Sequence, residues 1–282
     1  MMTVDLCYRN LKNALNAVAQ DAAAYEAKEI IGAVLKLPEA QLRMIPFSGK
    51  KVTAEAQAEM ENILERRNQH EPLEYILGYA WFYGLRFSVS SDCLIPQADT
   101  EIVCEKLISY LKDGMRFADI CTGSGCIALA ALSQTKNTTA IGYDISDGAL
   151  QMAKKNAEDF GLSDRFQIQK ADVFAQDFLK DVENLDCIVS NPPYIERSVI
   201  PTLSAEVQNE PHIALDGGAD GLDFYRRLLD VCPAHIKKGG ALFLEIGYDQ
   251  KNMLEKLCQS YGFTYEFYRD FGGNDRVCAV FP

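Results

Sequence analysis

Residues 186–195 read DCIVSNPPYI, an apolar stretch typical of a buried strand that ends in an amide, two prolines and an aromatic ring. The tetrapeptide Asn191, Pro192, Pro193 and Tyr194 could bind a planar amino or amide group. The Asn191 side-chain oxygen and the Pro192 carbonyl can accept from its two N–H protons, because proline fixes the backbone and leaves its carbonyl free. The Tyr194 ring can stack on the planar group. The simpler interpretation is a strand terminator, since proline cannot donate to a sheet ladder and Asn favours turns.

The chemistry that such a site would assist is methyl transfer to a nitrogen whose lone pair is delocalised into a π system. Hydrogen-bond acceptors that bind both N–H protons stabilise the positive charge that develops on this nitrogen as it is methylated. The site would act by positioning and preorganised electrostatics, with no metal ion and no covalent intermediate.

A glycine-rich turn indicates a second site, for a cofactor. It lies in ADICTGSGCIALA, between a predicted strand and a predicted helix, where backbone N–H groups can approach a ligand closely. Residues 123–128 fit the pattern G-x-G-x-x-[G/A]. Alone this is a weak signal, because similar turns also serve only to close a strand onto a helix.

Two acidic residues follow the next strands. Asp144 ends AIGYD, 19 residues after Gly125, where a carboxylate can accept hydrogen bonds from ribose hydroxyls. Asp172, in KADVF, is placed to accept from the exocyclic amino group of an adenine. Each could instead be an ordinary turn or helix-initiating residue. The glycine turn and Asp144 together favour a cofactor that contains adenosine.

The elements that must position these residues form an alternating pattern from residue 99 onwards. Apolar strands alternate with amphipathic helices, which predicts an α/β doubly wound sheet with helices on both faces. The predicted parallel strands are residues 116–121, 138–144, 165–169, 186–190 and 240–247. Two last strands, FTYEFYRD and DRVCAVF, predict a hairpin that completes a mixed sheet of seven strands. Ligands of such sheets bind beyond the carboxyl ends of the strands, where all the candidate residues lie.

The chain upstream has a different character. Residues 1–77 lack strand alternation and are rich in helix formers, which predicts a small helical bundle, with Thr53 capping one helix. Residues 78–98 alternate aromatic and polar side chains around Gly84, which predicts a β-hairpin that links the bundle to an α/β domain over residues 99–282.

Composition argues against several classes of protein. The formal net charge is -12, whereas a duplex-DNA binder usually has a basic face. No run reaches the ~18 apolar residues of a membrane span, and the N-terminus shows no signal or transit peptide, so a cytoplasmic protein is expected. The nine cysteines are irregularly spaced, with no C-x-x-C or Cys/His cluster, which predicts reduced structural thiols and no metal site.

The ordered motifs resemble those of the peptide-chain release factor glutamine methyltransferases (PrmC/HemK type), which are class I S-adenosylmethionine-dependent enzymes. The matching segments are PLEYILGYAWFYGLRF, LIPQADTE, CTGSGCIALA, YDIS, DCIVSNPPYI, EPHIALDGGADGLDFYRRLL and LEIGYDQ. The resemblance implies N5-methylation of the glutamine in the Gly-Gly-Gln loop of class 1 release factors, with the N-terminal domain helping to dock this protein substrate. The implied cofactor contacts are Cys121, Thr122, Gly123, Ser124, Gly125, Asp144, Asp172, Val173 and Asn191. The implied substrate contacts are Asn191, Pro192, Pro193 and Tyr194.

One segment departs from the family pattern. LIPRPETE is usual in the family, and here Gln97, Ala98 and Asp99 replace its arginine, proline and first glutamate, while Thr100 and Glu101 are kept. The loss of an arginine near the cofactor puts any charge contact there in question.

Other functions share part of this pattern. A glutamine methyltransferase of a large-subunit ribosomal protein would share NPPY, as would an N6-adenine DNA methyltransferase, although the acidic composition speaks against DNA. An NAD-dependent dehydrogenase would use the same glycine turn and Asp144 but gives no reason for NPPY. A non-catalytic adaptor is a further alternative.

Overall fold

The computed structural model describes residues 2–282, and the chain divides into two compact units. One unit extends to Gly78 and includes the later segment Ser204–Asn209. The other comprises Tyr79–Leu203 and Glu210–Pro282.

The first unit is helical. Its helices are α1 (Val4–Leu15), α2 (Ala23–Val34), α3 (Glu39–Leu42), α4 (Ala54–Asn68) and α5 (Leu73–Leu77). They enclose a core that includes Leu15, Ile30 and Ile31, none of which is exposed to solvent. The predicted cap is present, because the Thr53 hydroxyl accepts from the backbone N–H of Ala56 at 3.2 Å.

The second unit contains a mixed sheet of seven strands, as the sequence predicted. A separate antiparallel hairpin, β1 (Tyr79–Phe82) and β2 (Leu85–Ser88), precedes it. The sheet is built from β3 (Arg116–Ile120), β4 (Thr139–Asp144), β5 (Phe166–Lys170), β6 (Leu185–Ser190), β7 (Ile236–Glu245), β8 (Thr264–Arg269) and β9 (Asp275–Phe281). The spatial order is β5-β4-β3-β6-β7-β9-β8; β9 pairs antiparallel with both β7 and β8, and all the other pairs are parallel. The order reverses between β3 and β6, which is where ligands bind in open sheets.

Helices cover both faces of this sheet. They are α6 (Glu101–Tyr110), α7 (Cys126–Gln134), α8 (Asp147–Asp159), α9 (Asp223–Val231) and α10 (Lys251–Tyr261). Side chains along a strand point alternately to the two faces. Phe117 therefore packs in the apolar layer under α6 and α7, whereas Ala118 and Ile120 pack in the layer under α9 and α10.

The observed boundaries differ most from the sequence pattern before β7. The amphipathic pattern of residues 221–236 predicts a single helix, but α9 ends at Val231, because Pro233 lacks a backbone N–H to continue it, and a 3-10 turn, Cys232–His235, follows. β7 consequently begins at Ile236, four residues earlier than the predicted start at residue 240.

Two features are absent from the described residues. None of the helices within residues 2–282 combines the length and apolar character that a bilayer crossing demands. The same part of the chain has no group of three or more His, Cys, Asp or Glu side chains placed to hold a metal ion.

Candidate active site

A cavity of about 330 Å³ lies at the carboxyl ends of the central strands. Nine of the residues implicated from the sequence line it, namely Cys121, Thr122, Gly123, Ser124, Asp144, Asp172, Val173, Asn191 and Pro193. The structure thus brings together side chains from four strand ends. Gly125, Pro192 and Tyr194 are not among the lining residues.

The glycine turn between β3 and α7 has an unusual backbone. Gly125 has φ of 78° and Cys121 has φ of 59°, a conformation that costs a non-glycine residue about 1–2 kcal/mol. A Cβ on Gly125 would also lie 3.2 Å from the Phe166 ring, so only glycine fits closely there. The turn is tied to β4 because the N–H of Thr122 donates to the Tyr143 carbonyl at 2.9 Å. Strained backbone of this kind is concentrated at binding sites.

Asp144, at the end of β4, holds this turn from the other side. Its Oδ2 accepts from the N–H of Gly123 and its Oδ1 from the N–H of Ser146, each at 2.9 Å. Burial raises the pKa of Asp144, and these two backbone hydrogen bonds oppose the rise. Each carboxylate oxygen can accept more than one hydrogen bond, so Asp144 can still bind a ligand hydroxyl in the cavity.

Asp119 is an acidic residue that the sequence reading did not single out. It is fully buried in β3, where its Oδ2 accepts from the Thr122 hydroxyl at 2.7 Å and its Oδ1 has no hydrogen-bond partner within residues 2–282. Burial raises its pKa to about 7, and the charge on Asp144 adds to the rise, while Thr122 and the N–H of Ala128 lower it. The position could have been found from the sequence, because an acidic residue inside an otherwise apolar strand rarely lacks a function.

The segment after β5 forms an apolar wall of the cavity. Asp172 is exposed at the rim and its Oδ1 accepts from the N–H of Phe174 at 2.8 Å. Val173 is buried, and its carbonyl accepts from Arg227 Nε at 2.8 Å. The rings of Phe174 and Phe224 meet edge to face with centroids 4.9 Å apart. This aromatic pair was missed because only tertiary structure places Phe224 of α9 against the segment.

Asn191 and its two prolines leave β6 as expected, with Asn191 facing the cavity. The Asn191 Nδ2 donates to the Thr100 hydroxyl at 3.2 Å. Among the described residues no donor occupies Asn191 Oδ1, and none donates to the carbonyl of Pro192. The Asn191 oxygen is thus available as an acceptor in the cavity, whereas Pro192 is buried and does not line the cavity.

Tyr194 is not among the residues that line the cavity, and its expected stacking on a bound planar group stays a prediction. Its ring packs against the core layer under α9 and α10, and its hydroxyl donates to Glu245 Oε1 at 3.3 Å. The backbone carbonyl of Tyr194 also accepts from Gln250 Nε2 at 2.9 Å. These two contacts hold Tyr194 to the end of β7 and the start of α10.

Comparisons with known proteins agree with this arrangement. A family model described as "Methyltransferase small domain" matches residues 97–208, and one described as "PrmC N-terminal domain" matches residues 7–78. The release factor glutamine methyltransferase of Thermodesulfovibrio yellowstonii is 36% identical over 268 residues, 90% of this chain and 91% of that one. The enzyme of the same name from Agrobacterium fabrum is 38% identical over 234 residues, 80% of each chain. A solved human methyltransferase 10 domain containing protein, 20% identical, covers 71% of this chain and 90% of its own with a TM-score of 0.50.

The seven-stranded mixed sheet, together with the match of residues 97–208 to the methyltransferase small domain, identifies this protein as a class I methyltransferase. The two bacterial relatives are 36% and 38% identical in sequence to this chain, over at least 80% of both chains in each comparison. The chain therefore belongs to the release factor glutamine methyltransferase family, and the resemblance drawn from its motifs is confirmed. This family membership speaks against the two alternatives of an NAD-dependent dehydrogenase and a non-catalytic adaptor.

Proposed function

We propose that this enzyme binds S-adenosylmethionine in the cavity and methylates the side-chain nitrogen of the glutamine in the Gly-Gly-Gln loop of class 1 release factors. The observation that carries the proposal is Asn191, whose amide nitrogen is anchored on Thr100 while its oxygen is free at the cavity wall. The release factor is the protein partner, and the reaction belongs in the cytoplasm, where translation terminates.

The cavity fits the cofactor in size and in chemistry. Asp144 would accept from ribose hydroxyls, and the apolar wall of Val173 and Phe174 would pack on the adenine, with Asp172 at its edge. The turn residues Cys121 to Ser124 would border the amino-acid part. A volume of about 330 Å³ lies in the range of small-molecule sites. When bound, S-adenosylmethionine supplies an electrophilic methyl group on a positively charged sulfur.

The protein's own contribution is to position and polarise the acceptor amide. The Asn191 Oδ1 and the Pro192 carbonyl would accept from the two N–H protons of the substrate glutamine. As charge develops on that nitrogen, hydrogen bonds to its protons strengthen, so these acceptors stabilise the transition state more than the ground state. Neither acceptor needs to reorganise, because one is fixed by Thr100 and the other by the proline ring.

A glutamine methyltransferase acting on a large-subunit ribosomal protein would use the same chemistry, so the substrate must be tested directly. The assay is methyl transfer from labelled S-adenosylmethionine to a purified class 1 release factor. The blanks are the same factor with the glutamine of its Gly-Gly-Gln loop changed to alanine, and a large ribosomal subunit. We expect label only on the intact loop. Label on the altered factor, or faster labelling of the ribosomal subunit, would refute the substrate assignment.

The role of Asn191 is tested by Asn191→Ala, which should lower kcat about 10²–10³-fold, as for loss of one preorganised group in a transition-state site. Cofactor affinity should fall much less. Asn252→Ala, an exposed asparagine on α10, is the matched control and should behave as the unaltered enzyme. Near-normal turnover of the Asn191 variant would remove the basis of the mechanism.

A further inference from the structure

Asn156 is a polar side chain on the otherwise apolar buried face of α8. The buried residues of that helix are Ala149, Ala153, Asn156 and Ala157. Asn156 is 1% exposed, and buried amides of this kind are normally hydrogen-bonded inside the protein. The proposed mechanism does not use this residue, so its role has to be sought in its hydrogen-bond partners.

The Asn156 amide makes three hydrogen bonds to the backbone of two other segments. Its Oδ1 accepts from the N–H of Ser88 at 2.7 Å, and its Nδ2 donates to the carbonyl of the same residue at 3.0 Å. Nδ2 also donates to the carbonyl of Ser124 at 2.9 Å. These contacts fix the orientation of the amide, because a reversed amide would place its NH₂ group against the N–H of Ser88 and its oxygen against two carbonyls.

Both partners of Asn156 belong to walls of the cavity. Ser124 lies in the glycine turn and lines the cavity itself. Ser88 is the last residue of β2, and the chain continues from it into residues 92–97, all of which line the cavity. Asn156 therefore joins two walls of one cavity through their backbones, although it does not line the cavity itself.

The glycine turn is held by contacts from outside it. Its backbone is in the left-handed region at Cys121, with φ of 59°, and at Gly123, with φ of 56°. A strained conformation of this kind persists only where the surrounding structure supports it. Contacts with β4 hold the N–H groups of Thr122 and Gly123, and the Asn156 amide holds the carbonyl of Ser124. Loss of that amide would leave the Ser124 end of the turn without this support.

We propose that Asn156 is a positioning residue for cofactor binding, which holds the glycine turn and the wall formed by residues 92–97 at the spacing that the cofactor requires. The inference rests on the proposed binding of S-adenosylmethionine in this cavity. Asn156 acts through the backbone of Ser88 and Ser124 and touches neither cofactor nor substrate.

The expected effect is on affinity rather than on the chemical step. Without the amide, the two walls should adopt the spacing required for binding in only a fraction of the free protein. If that fraction is about 1–10%, the apparent dissociation constant for S-adenosylmethionine rises about 10- to 100-fold. At saturating cofactor, kcat should stay within about threefold of the unaltered enzyme, because only the ligand-bound arrangement is then populated.

The test uses Asn156→Ala, which removes all three hydrogen bonds, and Asn156→Asp, which keeps an acceptor for the N–H of Ser88 but loses both donors. Titration calorimetry with S-adenosylmethionine should show the weaker binding in both variants. Hydrogen–deuterium exchange without ligand should be faster than in the unaltered enzyme in peptides covering residues 86–97 and 121–127. Saturating cofactor should restore the exchange rates. If Asn156→Asp does not fold, Asn156→Ala decides the question by the same criteria.

Two control variants separate positioning from general stability. Lys155→Ala removes the neighbouring side chain of α8, which donates to the hydroxyl of Ser88 at 2.6 Å rather than to its backbone, and should bind the cofactor normally. Val280→Ala truncates a fully buried side chain of β9 in the layer under α9 and α10. It should lower the midpoint of urea unfolding without changing cofactor affinity.

The inference is wrong if Asn156→Ala binds S-adenosylmethionine as tightly as the unaltered enzyme, or if Asn156→Asp keeps normal affinity. It is also wrong if Lys155→Ala or Val280→Ala loses affinity to the same extent as Asn156→Ala. The measurement needs cofactor binding alone. An unaltered enzyme that binds S-adenosylmethionine but leaves the release factor unmethylated would therefore refute the proposed substrate and not this inference, whereas one that binds no S-adenosylmethionine would refute both.

Discussion

The assignment of Asp144 to the ribose is open to a quantitative test by Asp144→Ala. In the structure the carboxylate already accepts from two backbone N–H groups at 2.9 Å, one in the glycine turn and one at the start of α8. Substitution therefore has two separable effects. The free protein loses two internal hydrogen bonds, and the bound state loses the acceptor for the ribose hydroxyls.

The size of each effect follows from these contacts. Hydrogen bonds to a charged group contribute about 1.5–3 kcal/mol, so loss of the ribose acceptor should weaken S-adenosylmethionine binding by roughly 10- to 150-fold. The two backbone groups lie at the cavity and can be rehydrated. Their loss should therefore lower the free energy of unfolding of the ligand-free protein by no more than about 1–3 kcal/mol.

Titration calorimetry gives the affinity, and urea unfolding without ligand gives the stability. Asp144→Asn retains one acceptor oxygen and should show an intermediate loss of affinity. Asp147→Ala, an exposed residue in the first turn of α8, is the control and should bind normally. A folded Asp144→Ala variant with unchanged affinity would refute the assignment.

Three further outcomes are expected. Tyr194→Phe should lower the free energy of unfolding in urea by about 1–2 kcal/mol, because the buried Glu245 carboxylate loses a hydrogen-bond donor, and Tyr194→Ala should lower it further. A Tyr194→Phe variant as stable as the unaltered enzyme would contradict the contact with Glu245. Gln97→Arg with Ala98→Pro, which restores the family pattern, should hold or raise kcat/KM, and a clear loss would indicate a different substrate geometry. Above pH 7, Glu245→Gln should raise the free energy of unfolding by up to roughly 3 kcal/mol relative to the unaltered enzyme. Chemical unfolding at lower pH should show this difference shrinking to zero towards pH 4.5.

The sign of the Glu245 effect follows from the direction of its pKa shift. Its pKa is higher in the folded chain, about 7, than the ordinary value of 4.5, so the folded state holds the proton more tightly. The stability that this provides is complete below the unfolded pKa and is lost as the pH rises through about 7. Because glutamine cannot ionise, the stability of Glu245→Gln should not fall in this way as the pH rises. A variant whose stability falls with pH in parallel with the unaltered enzyme would show that another group is responsible.

Much of the fold could be predicted because periodicity is a local property. The alternation of apolar strands and amphipathic helices gave all seven strands, and parallel strands in an open sheet bring their carboxyl ends to one edge. Asp144 and Asn191 could be assigned to one cavity on that basis alone. The start of β7 was misplaced because the apolar core of the strand begins at Gly240, whereas its first residues, Ile236–Lys238, are partly exposed.

Side-chain networks could not be predicted, since their members are distant in sequence. Thr100 and Asn191 are 91 residues apart, and Tyr194 and Glu245 are 51 apart. No spacing rule connects such positions. The contact of Tyr194 with Glu245 could not be predicted for the same reason, because it depends on the pairing of β6 with β7.

The departure in LIPQADTE can now be placed in the site. Gln97 lines the cavity and its Nε2 donates to the Ile95 carbonyl at 3.1 Å, so the family arginine is lost from the cavity wall. Asp99, shorter than the usual glutamate, still pairs with Arg276 at 2.8 Å, and Thr100 is kept. The substitutions thus alter the wall that a cofactor or substrate would contact, while the contact of Asn191 with Thr100 is kept. In the proposed mechanism the two parts act differently, because a wall contact mainly sets affinity, whereas the direction of the Asn191 amide decides whether an acceptor faces the reacting nitrogen.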